Sequence, residues 1–393
     1  MSEGSSGAAP DADHADNDHA DAGRPSASYR DPDALGARLT TWLAAQLPGA
    51  TDVTVSGAEL PSGSGMSSDT VLFEAAWSED GAAQTAELVA RIAPDPTAVP
   101  VFPIYDLAGQ FRTLQQVAAL SDVPVPNVRW LEEDDKAIGS PFFVMDRVRG
   151  QVPPDVMPYN FGSWVTELSP ADLTQLQDAT IGVLVGLHTI AEPETVFAHL
   201  DTRSDGQTSA LRAHVEGQRS FYEWVVGDGR RSPLIEASFD WLESNWPATE
   251  GPAVLSWGDS RIGNMMFDGV RPVAVLDWEM ASLAPAEVDV AWCVFLHRFF
   301  EDIAHQLELP GLPQFMRRDE VVTSYAELGG CELTDMDWHS TYAALRHAIV
   351  MSRVQRRSIH FGDAPEPDDV DDLIMHRASL QAMLDGTYWS DLD

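Results

Sequence analysis

The chain has 393 residues, 44% of them apolar, and a formal net charge of −38. So acidic a balance opposes nucleic acid and anionic membrane surfaces as partners; it suits high solubility, with salt tolerance as a second reading. The only lysine is Lys136, so a P-loop with its Gly-Lys-Ser/Thr ending is excluded.

Residues 1–32 read as a disordered acidic tail of Ala, Asp, Gly, His and Ser with 7 acids and 2 arginines. His14 and His19 invite a metal-tail reading, but the composition is that of a solvated segment. The N-terminus lacks a leader's apolar core. No apolar run reaches the ~18–20 residues of a membrane span, so the expected location is cytoplasmic.

Asp33 reads as a helix cap, followed by Leu35, Leu39, Trp42, Leu43 and Leu47 at helical spacing. Strands are expected at 53–60, 70–77, 86–92, 127–131 and 142–148, and a helix at 104–120. The first two strands flank Pro61-Ser-Gly-Ser-Gly-Met-Ser-Ser-Asp69, a glycine-bearing turn. Lys136 falls in a polar hairpin turn between the last two strands. These elements make a five-stranded sheet with one long helix.

From about 160 onward helices dominate: 170–190, 208–226, 233–246, 286–306, 316–328, 334–360 and 367–385. A β-rich island at 254–277 interrupts them. The fold class is α+β: a 33–149 lobe, then a mainly helical 150–393 lobe. Cys293 and Cys331 are far apart and form neither a disulfide framework nor a cysteine zinc site.

The island carries the chemistry. It reads Leu255-Ser-Trp-Gly-Asp259-Ser-Arg-Ile-Gly-Asn264, then an apolar strand ending in Asp277-Trp-Glu279. Two carboxylates and an amide are delivered by strand ends joined through a hairpin. Phosphoryl transfer rests on positioning and charge neutralisation. Magnesium prefers hard oxygen ligands, one or two carboxylates completed by phosphate and water. Asn264 and Asp277 can supply the protein ligands, while Asp259 can orient a hydroxyl and take its proton.

The D-x-x-x-x-N pattern, followed by an apolar strand and D-W-E, resembles the aminoglycoside phosphotransferase (choline-kinase-like) family, over about residues 50–360. Pro141-Phe-Phe-Val-Met-Asp-Arg-Val-Arg-Gly150 looks like its hinge strand and Gly186-Leu187-His188 like the end of a core helix. Asp289 matches the aspartate opening the helix after the metal loop. The resemblance implies a protein-kinase-like two-lobe fold that uses ATP and Mg2+ on a small hydroxylated molecule. It makes Asp259 the base and Asn264 and Asp277 the metal ligands. It seats adenine on the Asp146 carbonyl and the Val148 N–H. It places Gly63, Gly65, Ser67 and Ser68 over the phosphates.

Three positions depart from the family pattern. Trp257 stands where a histidine precedes Gly-Asp, and is expected to pack against the hinge between helices and loop. Arg91 replaces the third-strand lysine; its fork suits phosphate, the alternative being a solvent-facing arginine. Gln110 replaces the acidic partner of that cation. These changes motivate a second reading, a nucleotide-binding pseudokinase serving as a regulatory or interaction module. The intact Asp259, Asn264 and Asp277 argue against it. A protein kinase would carry D-F-G and A-P-E signatures, which are missing. Glu279 reads as an outer-shell magnesium group or a helix-terminal carboxylate, and His188 as a bonded core histidine. Ser260 and Arg261 read as substrate contacts or as a cap and a salt bridge.

Overall fold

In the computed structural model the described residues are 31–60, 68–95, 99–203, 208–227 and 229–391. The acidic tail and the 61–67 turn, with Gly63, Gly65 and Ser67, lie outside them.

The first lobe is a five-stranded antiparallel sheet of β1 (Thr51–Glu59), β2 (Asp69–Glu79), β3 (Ala82–Ile92), β4 (Val128–Glu132) and β5 (Phe142–Asp146), ordered β1-β2-β3-β5-β4. Strand alternation splits its side chains between two cores. Leu88, Ala90 and Ile92 of β3, with Phe142 and Val144 of β5, pack on Leu39 and Trp42 of α1 (Pro32–Gln46). Val89, Phe143 and Met145 face the other way, toward Phe111 and Leu114 of α2 (Leu107–Leu120). Arg91, two residues from Val89, is thereby aimed at the cleft between the lobes.

Two helix starts differ from expectation in ways their capping residues explain. Asp31, not Asp33, caps α1, because Pro32 occupies the first helical position and the Asp31 carboxylate accepts the Asp33 N–H. α2 begins at Leu107, where the Asp106 carboxylate accepts the Gly109 N–H at 2.7 Å.

The second lobe contains α3 (Pro170–His188), α4 (Pro193–Val196), α5 (Ala210–Val226) and α6 (Pro233–Ser244). The β-island follows, then α7 (Ala286–Gln306), α8 (Arg318–Glu327), α9 (Met336–Phe361) and α10 (Arg377–Leu384). The island holds β6 (Val254–Ser256), β7 (Met265–Asp268), β8 (Arg271–Val275) and β9 (Ser282–Ala284). β7 and β8 form the anticipated hairpin, while β9, absent from the sequence reading, pairs with β6 and closes the loop carrying Asp277.

The helix expected over 367–385 is broken. Residues Val370–Leu373 form one 3-10 turn, and α10 starts only at Arg377. Asp371 is held by Ser232, and His376 donates to or accepts from His347 while its Nε2 meets the Ala344 carbonyl at 2.8 Å. These ties pin the chain to α6 and α9 and forbid a continuous helix. Among the described residues no helix is long and apolar enough to cross a membrane.

Candidate active site

Asp289, fully buried in the first turn of α7, organises the loop after β6. Its carboxylate accepts from the Trp257 N–H at 2.7 Å, the Gly258 N–H at 3.0 Å and the Ser256 hydroxyl at 2.7 Å. His188 Nε2 lies 3.1 Å away, and its Nδ1 meets the Tyr325 hydroxyl at 2.8 Å, so His188 is a bonded core histidine. Burial alone raises the Asp289 pKa; the bonds from His188, Ser256 and Gly258 outweigh it and hold the carboxyl below its ordinary range. Ser260 completes the brace by donating to the Asp289 carbonyl at 2.8 Å.

Gly258 is required in this turn. Its φ is +93°, and an added Cβ would stand 2.1 Å from the Met280 carbonyl oxygen. Arg346 of α9, itself buried, donates to the Gly258 carbonyl at 3.0 Å.

The loop so held presents Asp259. Its Oδ1 accepts from the Trp292 indole at 2.7 Å and its Oδ2 from Asn264 Nδ2 at 2.7 Å; Arg261 Nε lies 3.1 Å from both oxygens. Arg261 also pairs with Asp155. Burial disfavours its charge, but Asp259 and Asp155 keep the Arg261 pKa above its usual value. Ser260 and Arg261 therefore act as brace and salt bridge in this arrangement. With Nδ2 committed to Asp259, Asn264 has Oδ1 to offer a cation. Its backbone carbonyl accepts from the Leu276 N–H at 2.8 Å, which sets it beside Asp277.

Asp277 has φ +60°, a left-handed backbone that costs a non-glycine residue ~1–2 kcal/mol. Its Oδ1 is 2.7 Å from Arg91 Nη2, and Arg91 Nη1 donates to Thr70 at 2.9 Å. Arg91 thus faces the cleft, not solvent. Its hydrogen bonds go to Asp277 and Thr70 rather than to Gln110, which lines the same cavity. Trp257 donates its indole N–H to the Leu276 carbonyl at 2.9 Å and packs on Trp278. It is a spacer under the Asp277 loop.

The cavity between the lobes has a volume of about 380 Å³. Leu72, Val89, Leu114, Phe143, Met145 and Met266 give it apolar walls, Asp146 and Val148 line one edge, and Thr70, Arg91 and Asp277 give it a polar end. Ser68 is buried just before β2 and is not among the lining residues. Of the residues singled out in the sequence, Arg91, Gln110, Asp146, Val148 and Asp277 share this cavity; Asn264 is bonded to its lining residue Leu276, and Asp259 is linked to the cavity only through Asn264. Asp155, Trp292 and Arg346 were missed. They lie far along the chain from the motif, and no local spacing marks them.

The family model described as "Phosphotransferase enzyme family" matches residues 60–317. The chain belongs to the phosphotransferase enzyme family. Solved structures agree on the fold. A protein of Ralstonia eutropha JMP134, provisionally classed as an aminoglycoside phosphotransferase, superposes with a TM-score of 0.61 at 19% identity, over 90% of this chain and 98% of that one. A thermostable mutant of aminoglycoside phosphotransferase APH(4)-Ia, in a ternary complex with AMP-PNP and hygromycin B, gives 0.53 at 15% identity, over 88% and 97%. IBR3 of Arabidopsis thaliana, provisionally an acyl-CoA dehydrogenase, is 24% identical over 263 residues, 63% of this chain. The phosphotransferase spans only 31% of that relative, and 25% and 20% of the mouse and human acyl-CoA dehydrogenase family members 10 and 11.

The donor set suits a hard cation and a nucleotide. Among the described residues no three His, Cys, Asp or Glu side chains gather into an all-protein metal cage. One carboxylate and one amide oxygen, completed by phosphate and water, match magnesium's habit. The apolar walls suit a planar base, and Arg91 stands at the polar end with Asp277 and Thr70.

Proposed function

We propose that this phosphotransferase moves the γ-phosphoryl group of ATP to a hydroxyl of a small molecule. The observation that carries the reading is Asp277 at the polar end of a cavity with apolar walls, its loop tied to Asn264 through the Leu276 N–H and Asn264 in turn bonded to Asp259. Asp146 and Val148 would meet the edge of the adenine, and Arg91 the phosphates. Asn264 Oδ1 and Asp277 would hold Mg2+, which, when bound, neutralises charge on the phosphate oxygens.

Asp259 faces the acceptor hydroxyl. Transfer forms an O–P bond to that oxygen, breaks the bond from γ-phosphorus to the bridging oxygen, and leaves the hydroxyl proton on Asp259 while ADP departs. Trp292, Asn264 and Arg261 fix the orientation of the carboxylate throughout. The chain's matched relatives are named for acyl-CoA chemistry, so hydroxyacyl compounds belong in the first acceptor screen beside sugars, macrolides and aminoglycosides.

Nucleotide binding by calorimetry tests the site. ATP should bind more tightly with magnesium than without, and Asp277→Ala should erase that difference. Equal ATP affinity with and without magnesium in the wild type would overturn the assignment.

A further inference from the structure

Helix α9 carries Arg346, Arg353 and Arg357 at spacings of seven and four residues, which places all three on one face. Arg346 begins the stripe at the site: it bonds the carbonyl beside Asp259 and lies 4.4 Å over the Trp292 ring that holds Asp259. Arg353 follows two turns on, about 10 Å along the axis. Its Nε and Nη2 donate to the Pro100 carbonyl at 2.9 and 2.7 Å, and its guanidinium stands 4.4 Å over Trp224 of α5.

The chain has 62 acids against 24 lysines and arginines, and most of its described arginines are tied to carboxylates. Among the described residues, the ion pairs leave out Arg346 and Arg353, as they do Arg38, Arg112, Arg147, Arg230 and Arg356. Arg346 and Arg353 bond only carbonyls, and Nε and Nη1 of Arg346 are buried with no partner. Arg357 continues the stripe beside Tyr105, where Glu279 is the facing carboxylate. Apolar surface borders the same rim: Ile104 is 79% exposed and Trp224 38%. Arg346 is buried with Asp289 and Asp259 as charged neighbours, but Arg353, half-buried and bonded to the Pro100 carbonyl, has no carboxylate partner among the described residues, and in so acidic a protein it marks a place for an outside anion.

Resting on the phosphotransferase reading, we infer that the acceptor is itself an anion. It is a hydroxylated compound whose carboxylate or phosphate lies about two helical turns from the reacting hydroxyl. Arg353 receives that group, and the apolar part of the molecule runs along Trp224 and Ile104. A polycationic acceptor would meet the arginine stripe with like charge.

The test uses one set of small hydroxylated probes: glycerol, glycerate, glycerol 3-phosphate and choline. ADP release with MgATP and binding by calorimetry are measured for the wild type, Arg353→Gln and Arg353→Lys. The expected result is preference for glycerate or glycerol 3-phosphate, the better of the two identifying carboxylate or phosphate. In Arg353→Gln the KM of the preferred anion should rise about tenfold or more, the loss of a charge-assisted bond. Its kcat and the KM for ATP should hold, and Arg353→Lys should recover part of the loss. Preference for choline or glycerol, or equal changes for all four, would overturn the inference while leaving the kinase reading intact. If no probe releases ADP, binding to the wild type still decides. Selective anion binding supports the site, and its absence refutes it. If Arg353→Gln fails to fold, the wild-type preference alone decides.

Discussion

Arg91 on β3 and Asp277 after β8 are joined by a 2.7 Å ion pair that ties the sheet of the first lobe to the proposed metal loop of the second. Under the proposed function each would hold the other in place for a different part of the nucleotide. Arg91→Ala should weaken ATP about 10–100-fold, as for loss of a charge-assisted bond, while adenosine changes little. Titration calorimetry with both ligands checks this. Equal weakening of the two would show that Arg91 does not meet the phosphates.

Asp289 is the structural keystone of the loop. Removing its carboxylate leaves Ser256, His188 and two backbone N–H groups buried without their acceptor. Asp289→Ala should cost about 3–5 kcal/mol, as for one partner lost from a buried charged network. Denaturant melts measure it; a loss under 1 kcal/mol would mean that water replaces the carboxylate at no cost.

Gly258→Ala tests the same turn by sterics. A methyl group placed 2.1 Å from the Met280 backbone oxygen forces the loop to move. Turnover should fall more than stability does, because Asp259 is the next residue. A variant with wild-type kcat would show that the loop geometry is not needed for transfer.

Buried histidines set the acid limit of the fold. Burial depresses the pKa of His297 and His339 to about 3 and of His376 to about 4, from an ordinary 6.5. A depressed histidine is neutral in both states above 6.5 and is protonated only in the unfolded chain below it, so stability falls as pH drops. At pH 5.5 the three together contribute a loss on the order of a few kcal/mol. Most carboxylates are still ionised there, so relief of the chain's negative self-repulsion does not yet offset the loss. Melting temperature should be flat from pH 8 to 7 and decline steeply from 6.5 to 5. A rise over that interval would contradict the burial of these groups.

Local pattern carried much of this fold. The apolar runs at 86–92 and 142–148 marked strands of the sheet, and the strand-end spacing of Asp259, Asn264 and Asp277 put all three on one β-island. What stayed hidden was held by distant contacts. β9 is three residues long and exists only through its pairing with β6. The break in 367–385 depends on Ser232 and Ala344, more than 25 residues from it in sequence. Gln110 aligned with a cation's partner by position, yet Asp277, from the other lobe, takes Arg91. The embrace of Asp259 by Trp292 and of Gly258 by Arg346 likewise crosses between elements, where no single stretch of sequence records it.

The role of Asp259 as proton acceptor is tested most directly by ADP release with MgATP across a panel of hydroxylated acceptors, wild type against Asp259→Asn. An active acceptor should be found, and the substitution should lower kcat about 10²–10⁴-fold with ATP affinity held. Identical rates for the two proteins would contradict phosphoryl transfer at this site.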